Sequence, residues 1–170
     1  KERNLVEYVN IKSAGNPNAY NRKPFSKTEV SRIWKVKDTN IYYTVVLMLI
    51  YSGCRISELL DLKKENVDLK GSCFKIVEAK TAAGIRTVPI AEKIYSFFEY
   101  WYNLNDCEYL LSTPEGEHFK YRNYYDSYWS PLMETVGMSH RPHVTRHTCV
   151  IMLTVAGVSD KVIKKIVGHK

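Results

Sequence analysis

The sequence predicts a mainly α, α+β domain with one small antiparallel β-sheet. Three observations carry that prediction. Apolar residues at helical spacing recur along most of the chain, and cap residues bound the stretches. A single pair of β-branched runs flanks a Gly-containing loop. One segment, residues 41–52, is apolar all round, as a central buried helix is. With 170 residues, 45% of them hydrophobic and 25% charged, the chain can bury a core without disulfide or metal staples and is not wholly disordered.

Residues 10–24 hold two of the six prolines, several Asn and no apolar period, as a linker does. Residues 1–23 are therefore assigned to a linker and the end of a preceding domain, and residues 24–170 to the folded domain. Ser26 followed by Glu29 makes a capping box, with Phe25 placed to staple onto Val30, so a helix starts there. Gly53 is placed to end the apolar helix 41–52. Residues 56–62 (ISELLDL) read as a short helix. Residues 73–78 and 85–90 enclose AKTAAG as a hairpin. Ile94, Phe97, Phe98 and Trp101 fall at helical spacing as core contacts of a helix over 92–104. A tyrosine-rich helix over 119–136 is interrupted or kinked by Pro131. Two last helices, 145–156 and 159–167, are separated by Gly157, and Ser159 caps the second.

The charge is uneven. Residues 1–37 carry nine Lys/Arg against three Asp/Glu, residues 38–139 ten against fourteen, and residues 140–170 six against one. Two basic ends around an acidic middle suit a polyanion, nucleic acid before a membrane surface, because no basic segment has a lipid-facing apolar side. The longest apolar run, Val45 to Ile50, is too short to cross a bilayer, and residues 1–20 are polar, with no signal peptide. Four scattered cysteines without a CxxC pair read as reduced thiols in a cytosol.

Familiar chemical motifs are absent. His143 and His147 have zinc-protease spacing, but Val144 stands where that motif needs its Glu. The chain contains neither GxGxxG, GxxxxGK[ST] nor GxSxG, and no cofactor or metal is expected. What remains is a set of cations and imidazoles: Arg55 after the buried helix, Lys80 at the hairpin tip, His143, Arg146 and His147 at a helix opening, and His169 after Gly168. Singly, each has an ordinary structural explanation in an ion pair, a cap or a solvated tip.

Their order changes that. GCRISELLDLKKENVDL, EAKTAAGIRTVPI and RPHVTRHTCVIMLTVAGVSDKVIKKIVGHK, in this sequence along the chain, resemble the catalytic domain of the tyrosine recombinase (phage integrase) family, from about Pro24 to the final residue. The resemblance implies an integrase-type catalytic domain that performs site-specific DNA recombination for a phage or mobile element through a 3′-phosphotyrosine intermediate. Arg55 and Arg146 would grip the scissile phosphate, since two planar guanidiniums can hydrogen-bond its non-bridging oxygens in fixed geometry. Lys80 would protonate the leaving 5′-oxygen, His143 would hold or accept the nucleophile's proton, and His169 would donate to the phosphate. Glu58 would orient Arg55 or neighbouring backbone, and His147 would support the site from behind. The start of the helix at His143 would add backbone N–H groups favourable to an anion. Double-stranded DNA is the implied partner, a tetramer on DNA the implied assembly of a full-length protein, and the cytoplasm of a bacterial host cell the implied location.

One feature of the family is not matched. Its nucleophilic tyrosine lies a little beyond the Gly-His box, and none of the 13 tyrosines here lies after His169. Residues 1–170 alone are therefore expected to be inactive. A type IB topoisomerase-like enzyme and a non-catalytic DNA-binding module are the alternative readings.

Overall fold

A computed structural model describes residues 23–169. The linker expected over residues 1–23 lies, but for Lys23, outside the described residues. Helix α1 (Lys27–Val36) starts as its sequence requires: the Ser26 hydroxyl accepts from the Glu29 N–H (3.1 Å), and Glu29 accepts from the Ser26 N–H (2.9 Å). Phe25 and Val30 are both buried, and the Phe25 ring packs edge-on against Trp129 and beside His140.

Helix α2 (Tyr42–Ser52) is the axis of the core, buried on every side from Tyr42 to Ile50. Each aliphatic side chain shut away there contributes about 1.5–3 kcal/mol of transfer free energy. Its polar tips all find partners. The Tyr42 and Tyr43 hydroxyls donate to the Ser112 and Leu132 carbonyls, and the Thr44 hydroxyl accepts from the Trp101 indole. Gly53 ends the helix at φ +70°, its N–H returning to the Leu49 carbonyl. The chain then turns through Cys54 and Arg55 into α3 (Ile56–Leu60).

The small sheet is antiparallel, in the order β1 (Val67–Asp68), β2 (Cys73–Ile76), β3 (Arg86–Pro89). The hairpin is as expected, with shorter strands, while β1 has only two residues and no sequence signal of its own. Register pairs Phe74 with Val88 and Ile76 with Arg86, so Arg86 shares the inward face with Phe74, Ile76 and Val88. Helix α4 (Tyr95–Asn103) covers that face, and Phe98 stacks on Phe74 at 5.3 Å.

Residues 121–135 form one helical run in three parts: α5 (Tyr121–Tyr124), a π-helical stretch (Tyr125–Trp129) and α6 (Ser130–Thr135). Pro131 therefore neither stops nor sharply breaks the run. It has no N–H to donate and would crowd the Ser127 carbonyl in a regular α-helix, and the widened turn just before it relieves both. Helix α7 (Val144–Val155) packs on α2, and α8 (Asp160–Val167), capped by the Ser159 hydroxyl on the Val162 N–H, packs on α7 and β3.

Gly53 is where this packing leaves no room. A Cβ there would lie 2.9 Å from Val167 Cγ1 and 3.1 Å from Cys149 Sγ, in a left-handed backbone conformation. Gly53→Ala is expected to cost about 2–3 kcal/mol in urea unfolding, from backbone strain and overpacking together. A loss below about 0.5 kcal/mol, the size of an ordinary surface substitution, would show that the α2–α3 junction is free to rearrange.

Candidate active site

Three segments meet at one cavity of about 550 Å³: the turn after α2, the first turns of α7, and the end of α8. Arg55, at the N-cap of α3, reaches it with its guanidinium half exposed. His143, Arg146 and His147 stand at i, i+3 and i+4 on α7 and so share one helix face, which the cavity exposes. His169 arrives through Gly168, at φ +77°, with its backbone N–H on the Lys164 carbonyl. Lys164 and Asp160, ion-paired at 3.2 Å, line the same cavity from α8.

Arg146 is the unusual member. Its Nη1 donates to the Gly53 carbonyl at 3.2 Å, and its Nη2, fully buried, has no hydrogen-bond partner. Burial first, then the neighbouring Arg55 and Arg86 guanidiniums, pull its pKa down to about 10, so it remains charged at neutral pH. A charged donor left unpaired indoors costs more than an ordinary lost hydrogen bond. An anion at the cavity would supply the acceptor and relieve the repulsion among the guanidiniums.

Glu58 lies under this group, with its side chain only 7% exposed. It accepts the Arg55 backbone N–H (2.8 Å) and both ends of the Arg86 guanidinium (3.0 Å each). Burial alone would raise its pKa, but hydrogen bonds from Arg86 and the Arg55 backbone outweigh it and hold the carboxyl below its ordinary value. The Arg55 side chain itself sits 3.6 Å from Glu58. Glu58 thus fixes the backbone from which Arg55 projects.

Arg55, His143, Arg146, His147 and His169 all line this one cavity. Lys80 is not at the cavity: it stands on the exposed β2–β3 loop. The helix-start N–H groups are not on offer either, because those of Val144 and Thr145 already donate to the Arg141 and Pro142 carbonyls. Arg86, Lys164 and Asp160 carried no motif. Arg86 nevertheless had a signal, since strand alternation puts it on the same face as core residue Val88. Among the described residues no group of three His, Cys, Asp or Glu could hold a metal ion, no tyrosine lines the cavity, and no helix is long and apolar enough to cross a membrane.

The family model of the phage integrases matches residues 23–170. The chain belongs to the phage integrase family. Among integrase-family relatives, tyrosine recombinase XerA of Thermococcus kodakarensis is 30% identical over 156 residues, covering 86% of this chain and 54% of XerA. The chain thus spans about half the length of that relative. The Tn1549 transposon integrase, solved with a circular intermediate DNA, superposes with a TM-score of 0.76 at 20% identity, over 86% of this chain and 58% of that one. A lambda integrase tetramer bound to a Holliday junction gives a TM-score of 0.71 at 14% identity, over 88% and 47%. These two likenesses show that the fold is the integrase catalytic fold.

His169 offers a direct electrostatic test of the cavity. Burial, then Arg146, Arg55 and Lys164, depress its pKa below the ordinary histidine value. Its neutral form is therefore favoured in the fold, and the stability it contributes is present above the unfolded value and lost as pH falls through the folded one. A phosphate in the cavity reverses the sign of the local field. Inorganic phosphate is expected to shift the His169 titration upward in an NMR pH series, and an unmoved titration at saturating phosphate would count against an anion site there.

Proposed function

We propose that this chain is the catalytic domain of a site-specific DNA recombinase that cleaves and rejoins strands through a 3′-phosphotyrosine link, serving a phage or other mobile element in a bacterial cytoplasm. The carrying observation is the buried, unpartnered Nη2 of Arg146 at a cavity that Arg55 also lines. Family membership supports the reading, as do the relatives themselves: a recombinase, a transposon integrase with DNA, and an integrase tetramer on a Holliday junction.

In this reading a DNA phosphate occupies the cavity. Arg55 and Arg146 donate to its non-bridging oxygens, where negative charge grows as a tyrosine oxygen attacks phosphorus. The tyrosine O–P bond forms, the bond from phosphorus to the 5′-oxygen breaks, and the tyrosine proton passes to His143 or through it to water. Lys80, carried in on its loop, gives a proton to the departing 5′-oxygen, and His169 steadies the phosphate. Reversal with a new 5′-hydroxyl rejoins the strand without an external energy source, because the phosphotyrosine bond retains what the broken bond held. The tyrosine is supplied by a segment other than those lining the cavity, and four such domains assemble on two duplexes.

Two measurements test the proposal. Residues 1–170 alone should bind duplex DNA weakly, with affinity falling as salt rises, and should form no covalent adduct on a suicide substrate. An adduct would mean that one of the 13 tyrosines serves after all. In a protein that joins this chain to a tyrosine-bearing C-terminal segment, Arg146→Lys should lower cleavage by about 10²–10³, or about 2.7–4 kcal/mol, while DNA affinity changes little. Unchanged cleavage would reduce the domain to a DNA-binding module.

A further inference from the structure

Arg86 lies outside the cavity, yet it bonds to α3, just after the turn that carries Arg55, and to the end of α8, which delivers His169. Its side chain is 5% exposed, and four hydrogen bonds satisfy it. Nη1 and Nη2 take the two Glu58 oxygens, Nη1 also reaches the Gly84 carbonyl in the loop that carries Lys80, and Nε donates to the Ile166 carbonyl at 2.7 Å. Gly168 leaves room for this guanidinium: a Cβ there would fall 2.7 Å from Arg86 Nη1.

Glu58 poses a problem for an anion site. Its carboxylate caps the backbone of Arg55, so it must stay, yet its charge sits 3.6 Å from the Arg55 guanidinium and repels any phosphate nearby. Left alone, it would draw the half-exposed Arg55 side chain fully onto itself. With both oxygens held by Arg86 in fork geometry, Glu58 has little left to offer Arg55.

Resting on the reading of the cavity as a phosphate site, we propose that Arg86 is a positioning residue for it: by occupying both Glu58 oxygens it leaves Arg55 free to grip the phosphate, and by holding the Ile166 carbonyl it sets where α8 delivers His169. Lysine cannot replace it. An ammonium keeps the charge but cannot span two carboxylate oxygens and two carbonyls in one plane.

The test uses residues 1–170 and inorganic phosphate, followed by the His169 ring resonances and by calorimetry, with thermal unfolding recorded beside them. Arg86→Lys and Arg86→Gln should each weaken phosphate binding at least tenfold in the folded protein, and the phosphate-induced shift at His169 should shrink. The double variant Glu58→Gln/Arg86→Gln should recover much of the affinity lost in Arg86→Gln, because it removes the carboxylate that captures Arg55. Wild-type affinity in both single variants, with only a lowered melting temperature, would make Arg86 a brace for the fold and overturn the proposal. A double variant no better than Arg86→Gln would overturn it as well. Failure of the wild-type chain to bind phosphate strikes the cavity reading instead; Arg86 is then judged by His169, whose unliganded ring shifts must move in Arg86→Lys if Arg86 sets its place and must not if it does not.

Discussion

The buried Glu58–Arg86 pair is the constraint on which the rest of the cavity depends. A buried ion pair is not stabilising merely because it exists, since desolvating two charges offsets most of their attraction. This one is unusual in how completely its groups are used. Four of the five Arg86 N–H donors are bonded, and the Glu58 oxygens take the Arg86 fork and the Arg55 backbone. Those bonds join α3, the β3 strand with the loop before it, and the end of α8, three segments far apart in sequence. A wholly apolar contact could hold them together, but it could not fix the direction in which Arg55 leaves the backbone.

Gly53 does for α7 what Arg86 does for α8. Its left-handed turn ends α2 and frees its carbonyl to accept Arg146 Nη1, while Val167 and Cys149 close over the space where a side chain would stand. Cys54 and Cys149 beside it are buried, and burial pushes both thiols up to about 12, so they act as small apolar packing and not as reactive groups. The two arginines are therefore held from opposite sides of one rigid junction. That rigidity is what allows like charges to stay near one another before any anion arrives; the cost appears in the depressed pKa of Arg146 and in its unpaired nitrogen.

Local signals made most of the fold legible. Ser26 with Glu29, Gly53, Ser159 and the Phe97/Phe98/Trp101 spacing each act within a few residues, so they can be read without knowing the tertiary structure. Strand β1 was not legible, because two residues make no period, and its pairing with β2 is decided by the turn between them. The π-helical stretch before Pro131 is likewise a response to crowding rather than a preference written in YDSYW. At the cavity, residues on one helix face could be grouped from spacing alone. Arg86 could not be assigned a partner, since Glu58 is twenty-eight residues away and nothing local joins them. Lys80 shows the opposite limit: a motif position fixes where a residue falls in the chain, not whether its side chain reaches the cavity.

That separation of Lys80 from the arginines has a physical logic. Residues 77–82 are exposed, whereas Gly84, two residues further on, is buried and held by Arg86. The loop is thus anchored at one end to the same guanidinium that holds Glu58, and its remaining length has little burial to resist movement. Charge stabilisation benefits from donors fixed in advance, because reorganising them during reaction would cost what they supply. A proton donor has the contrary requirement: an ammonium held permanently beside two guanidiniums would add to their repulsion and tend to lose its proton early. In the proposed reading, a cationic grip on helix-borne arginines and a proton donor on an anchored loop would satisfy both conditions with one network.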